Sequence, residues 1–126
     1  MSTYLWVAVG GALGSMARYA TGVYVGRWLG AAFPWSTLLI NIVGSFLIGA
    51  FAESFALRWD VSQSMRVFLI VGICGGYTTF STFSLDIVTL LNRGEALAAG
   101  AYIVASVALG LAALYAGLHA MRFVLA

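Results

Sequence analysis

Read for polarity alone, the chain is a series of long apolar runs with short polar punctuation between them. The first run extends from about Tyr4 to Leu29, and only Arg18 and Arg27 bring charge into it. Gly30-Ala31-Ala32-Phe33-Pro34 follows, and this proline, the only one in the chain, marks a loop. The second run extends from about Ser36 to Leu57 and ends in the most hydrophilic stretch present, which carries Arg58, Asp60, Ser62, Gln63 and Ser64. A third begins near Met65, meets Gly72, Gly75 and Gly76, crosses a hydroxyl-rich segment from Tyr77 to Ser84, and resumes as an apolar stretch to Leu91. After the turn Asn92-Arg93-Gly94, a fourth run starts with Glu95 in its first turn, where an acid suits the helix dipole, and continues to about Leu125.

A spanning helix needs about 20 mostly apolar residues. The pattern therefore predicts an all-α membrane protein of four transmembrane helices, over residues 4–29, 36–57, 65–91 and 95–125. The third is broken near 75–79, and the four form a single transmembrane domain over 1–126. The N-terminus lacks the basic region of a secretory signal and has no clear small-residue cleavage site, so the first run is read as a retained helix.

Composition agrees with a bilayer setting, since 63% of the residues are hydrophobic, 8% are charged and the mean hydropathy is +1.02. The basic pI comes from arginines scattered along the chain, which argues against a nucleic-acid surface. Cys74 is the only cysteine, which excludes an intrachain disulfide and a thiolate metal cluster.

Charge placement bears on topology. Four spans put Arg58, Arg66 and Arg122 on one side of the membrane. Arg27 and Arg93 fall on the other, joined by Arg18 if it snorkels that way. Neither orientation is favoured by this count. Two readings stay open: a weak bias, or insertion both ways with two antiparallel copies pairing about a twofold axis. Gly10 and Gly14, Gly22, Gly26 and Gly30, and Gly72 and Gly76 recur at four-residue spacing. Such small residues let backbones approach closely, within one chain or between copies.

Three polar patterns could carry chemistry. Thr37, Asn41 and Ser45 share one face of the second helix, and a buried amide such as Asn41 must either bond another helix or face a watery path. Tyr102, Ser106 and Gly110 share a face of the fourth. The densest signal is the segment Gly75-Gly76-Tyr77-Thr78-Thr79-Phe80-Ser81-Thr82-Phe83-Ser84, where two glycines and a hydroxyl cluster interrupt a span and free backbone groups. At membrane depth those groups must be satisfied by protein, water or an ion, so such interruptions tend to surround ion or substrate sites. Beyond them Thr79, Thr82, Asp86, Thr89 and Arg93 form a polar face, while Phe80 and Phe83 share another. Paired phenylalanines are ordinarily packing, although their ring edges can also meet an anion. His119 stands alone and the carboxylates are not at metal-ligand spacing, so no catalytic constellation emerges and no enzyme activity is expected.

These residues resemble the Fluc (CrcB) fluoride channel family along essentially the whole chain. The resemblance rests on Gly10-Gly11-Ala12-Leu13-Gly14 leading to Arg18-Tyr19, on Thr37-Leu38-Leu39-Ile40-Asn41 with Gly44-Ser45-Phe46, and above all on Gly75 to Ser84. It implies a passive channel in the bacterial plasma membrane that exports fluoride and relieves its toxicity. It also implies an antiparallel, dual-topology homodimer with two pores and a structural sodium ion at its centre. By position, Gly75 and Thr78 resemble the pair whose backbone carbonyls hold the sodium. Phe80 and Phe83 resemble the aromatic pair of the pores, Asn41 the amide reaching into them, and Ser81, Thr82, Tyr102 and Ser106 the accompanying polar track. Gly110 and Asp86 depart from the family, which often has a hydroxyl and a glutamate at these places. The alternative reading is a proton-coupled small multidrug exporter, which needs an acid deep in the first helix; that helix has no carboxylate. A third is a non-transporting scaffold, in which the glycine faces are the whole function.

Overall fold

A computed structural model describes residues 2–58 and 60–125; Met1, Trp59 and Ala126, which the domain reading of 1–126 includes, lie outside the described residues. The described residues are helical with no strand among them. α1 covers Thr3–Leu29 and α2 covers Trp35–Leu57. The next stretch is built of pieces: α3 over Gln63–Val67, a π-helical segment over Phe68–Cys74, the single turn α4 over Gly75–Tyr77, and α5 over Ser81–Asn92. α6 covers Ala96–Leu125.

Local chemistry sets several ends. Ser2 and Ser62 accept the backbone N–H of Leu5 and Met65, capping α1 and α3. Gly30 ends α1 and Gly94 turns the chain into α6, both at φ 76°, a conformation that an L side chain resists.

Three stretches are both long and apolar enough to cross a membrane: Trp35–Leu57, Gln63–Asn92 and Ala96–Leu125. The sequence leads one to expect four. α1, at 27 residues, is about 40 Å long and so has the length. Its glycines, tyrosines and arginines lower its hydropathy, and it is not among the three.

The helices associate as two parallel pairs. Along α1 and the third stretch, contacts advance together: Gly10 lies against Phe68 and Gly72, Gly14 against Ile73 and Gly76, and Thr21 shares a 3.0 Å hydrogen bond with the Tyr77 hydroxyl. Along α2 and α6, Gly49 lies against Leu114 and Gly117 against Phe46. Lipid tails are as apolar as leucine, so helices in a bilayer gain little by hiding apolar surface from each other. Close backbone contact through glycine supplies the attraction instead. A Cβ on Gly14 would stand 2.2 Å from the Ile73 carbonyl oxygen, and one on Gly117 would stand 2.2 Å from that of Phe46. The Gly22, Gly26 and Gly30 stripe meets nothing comparable within the chain.

Polar ties fix the two ends. At one, Glu53 of α2 is buried and pairs with Arg122 of α6 at 2.7 Å, while Arg58 Nε donates to the Leu125 carbonyl at 2.7 Å. At the other, Arg93 donates to the Ala32 carbonyl and pairs with Glu95 at 2.7 Å. A small core of Leu38, Leu90, Ala99 and Tyr102 joins α2, α5 and α6, with Phe33 and Phe83 against it.

Candidate functional site

Between α4 and α5 the backbone leaves the helical path. Thr78 is extended, at φ −80° and ψ 161°, and α5 resumes at Ser81. In an unbroken α-helix the Thr79 N–H would bond the Gly75 carbonyl, four residues back. Here it donates to Asn41 Oδ1 at 2.9 Å, and Asn41 Nδ2 donates back to the Thr79 carbonyl at 3.0 Å. The Gly75 carbonyl is thus released from its helical partner. The Thr79 hydroxyl accepts the Thr82 N–H at 3.1 Å and starts α5 in the manner of an N-cap. Of the two roles open to Asn41, the structure has it bonding another element of the chain.

Arg18 braces the same corner from α1: its Nε donates to the Gly76 carbonyl at 3.1 Å. The methyl of Thr78 packs on Gly44, where an added Cβ would approach it to 2.2 Å. The Thr78 hydroxyl donates back to the Cys74 carbonyl at 2.9 Å.

Beside this corner lies a groove of about 470 Å³. Asn41, Gly75, Thr78, Phe80, Phe83 and Ser106 all line it. The Ser106 hydroxyl is buried with no hydrogen-bond partner, the only such side-chain atom among the described residues. A buried unpaired hydroxyl costs about 1–3 kcal/mol, so Ser106 is a wall residue whose polar atom the fold itself does not serve. Phe80 is 78% exposed, and its ring centroid lies 5.9 Å from that of Phe83.

The remaining sequence candidates stand elsewhere. Tyr102 is 0% exposed: it lies behind Phe83, 5.0 Å between centroids, and its hydroxyl donates to Asp86 at 2.9 Å. Thr82 faces a second cavity of about 340 Å³ that Arg18, Thr37 and Thr79 also line. Ser81 is exposed and its hydroxyl meets that of Thr79 at 3.4 Å.

The groove is also lined by Ser45, Ile48, Thr79, Val107 and Gly110, which lie outside the sodium and pore residues that the resemblance implies. Ser45 lines the groove one turn beyond Asn41, and Thr79 supplies the backbone that Asn41 holds. Ser45's place on the Thr37, Asn41 stripe was a signal for it; nothing in the pattern singles out Thr79 among its neighbouring hydroxyls. Gly110 also lines the groove, an added Cβ there lying 3.7 Å from the Ser45 hydroxyl.

Comparison with known proteins adds a family. The fluoride-specific ion channel FluC 1 of Nitrobacter hamburgensis is 63% identical over 118 residues, 94% of each chain. The fluoride-specific ion channels FluC of Nitrobacter winogradskyi and Rhizobium leguminosarum are 58% identical over 120 residues and 56% over 118, covering 95% and 94% of each chain. The family described as CrcB-like protein, Camphor Resistance (CrcB), matches residues 5–118. With nearly the whole length matched at this level of identity, the chain belongs to the CrcB family.

Proposed function

We propose that this protein is a passive fluoride channel of the bacterial plasma membrane, which lets the anion leave down its gradient and so relieves fluoride toxicity. The observation that carries the reading is the groove wall that brings Ser106, whose hydroxyl finds no partner within the chain, together with Asn41, Phe80 and Phe83. Fluoride is small and strongly hydrated, so it enters a narrow path only where donors replace part of its water shell. A hydroxyl donates directly, and the positive edge of a phenyl ring favours an anion. Ser81 and Thr82 would extend this track away from the groove, and Tyr102, buried behind Phe83, would support the Phe83 ring from behind. The names of the relatives support fluoride as the ion.

Four spans are the architecture that fits this role. α1 runs parallel to the third stretch from Gly10 beside Gly72 to Thr21 beside Tyr77, and it exposes Leu5, Val9, Leu13 and Met16 outward, as a lipid-facing helix does. The third span then works as a discontinuous helix whose interruption serves the ion path.

We place the functional unit as an antiparallel, dual-topology homodimer with a structural sodium ion at its centre. The residues present fit that ion. The Gly75 carbonyl has lost its helical donor to Asn41, Gly75 is exposed, and carbonyl oxygen suits a hard cation. Gly75 and Thr78 would hold it, and two carbonyls from one chain are too few, so a second copy would complete the set. The ion would supply positive charge near the anion path and tie the copies together.

The deciding experiment is efflux from liposomes that contain only this protein, read with a fluoride electrode. Rapid fluoride release with chloride retained is expected; no release, or equal passage of chloride, overturns the reading.

A further inference from the structure

At the end where α2 and α6 finish, two arginines form no ion pair among the described residues. Arg122 is engaged by Glu53. Arg58 uses Nε on the Leu125 carbonyl, which leaves its two terminal nitrogens as donors. Arg66 lies with its guanidinium carbon 5.3 Å from the centre of the Phe55 ring, so stacking rather than a carboxylate orients it. Among the described residues neither Arg58 nor Arg66 forms an ion pair.

Both arginines line one cavity of about 210 Å³ with Asp60, Ala56 and Leu57. Two guanidinium groups against one carboxylate leave the cavity net positive. The lining is mostly polar, with a small apolar part from Ala56 and Leu57, and Leu57 is exposed at the end of a spanning helix, so apolar surface continues outward from the cavity. We propose that this cavity seats the phosphate of an anionic phospholipid. The guanidinium fork matches phosphate oxygens, and basic pockets at helix ends on a membrane surface recognise anionic headgroups. The exposed Leu57 beside the charged seat favours the lipid over free phosphate, because an acyl chain can continue along it while inorganic phosphate uses only the guanidinium groups.

The test titrates the whole protein in neutral detergent with short-chain phosphatidylglycerol, phosphatidylcholine or inorganic phosphate, reading melting temperature and bound lipid by native mass spectrometry. Phosphatidylglycerol is expected to bind saturably and raise the melting temperature, and the other two are not. Arg66→Gln should weaken that binding by about fivefold. Asp60→Asn should tighten it, a gain that a folding defect does not imitate, and Arg93→Gln, at the opposite end, should leave it unchanged. Equal binding by Arg66→Gln and the unaltered protein, an equal response to phosphatidylcholine, or the same shift with inorganic phosphate alone overturns the proposal.

Discussion

Asn41 holds Thr79 by both ends of its amide, accepting the backbone N–H at 2.9 Å and donating to the carbonyl at 3.0 Å. One side chain of α2 thereby supplies a partner for both backbone groups of Thr79, which sit where the third stretch leaves the helical path. The same substitution of partners is what sets the Gly75 carbonyl free. A backbone irregularity at membrane depth is stable only when such groups are satisfied, so Asn41 links the fold directly to the proposed ion site.

Changing this amide should therefore injure stability and transport together. Asn41→Leu leaves a donor and an acceptor unmade, which costs about 1–3 kcal/mol and lowers the melting temperature in detergent. Asn41→Asp keeps the acceptor for the Thr79 N–H but loses the donor and adds negative charge beside the groove. It should melt closer to the unaltered protein than Asn41→Leu does, yet pass little fluoride in liposomes.

Ser106 predicts the opposite pattern. Its hydroxyl makes no hydrogen bond in the chain, so Ser106→Ala removes nothing the fold depends on and relieves a buried unpaired group. The melting temperature should hold or rise while fluoride efflux falls. A variant that lost stability and kept its flux would show the hydroxyl to be a packing group.

Phe80 and Phe83 look equivalent in the sequence and differ in the structure. Phe80 is exposed, whereas Phe83 packs against the buried Tyr102 and its core cluster. Phe80→Ile should lower fluoride flux with a stability change within about 0.5 kcal/mol, as for a surface position. Phe83→Ile should lower flux as well and cost about 1 kcal/mol of packing, visible as a lower melting temperature.

The helical class was legible because the signal is coarse: apolar runs of spanning length with polar punctuation leave no room for strands. The identity of each polar partner was not. A stripe at four-residue spacing shows that Thr37, Asn41 and Ser45 share a face, but not what that face meets, so Asn41 against Thr79 needed coordinates. Tyr102 and Ser106 read alike for the same reason, though one is sealed behind Phe83 and bonded to Asp86 while the other lines the groove with its hydroxyl buried and unpaired. The π-helical turn over Phe68–Cys74 has no compositional mark at all. That stretch packs along α1, a long-range contact that local sequence does not encode.

Glycine spacing was equally ambiguous, since three stripes look alike in the sequence and the chain uses two of them against each other. This yields a contrast within a single residue type. Gly14→Ala forces a Cβ to within 2.2 Å of the Ile73 carbonyl oxygen, and backbone rather than a flexible side chain is what must move. Separating α1 from the third stretch there would also pull Arg18 from the Gly76 carbonyl. Overpacking of this kind costs about 1–3 kcal/mol, so a clear fall in melting temperature is expected. Gly100→Ala on α6 meets nothing within 4 Å, and alanine is the better helix former by about 1 kcal/mol, so that variant should melt at the same temperature or higher. Equal behaviour of the two would mean that the close approach of α1 to the third stretch contributes nothing to holding the bundle together.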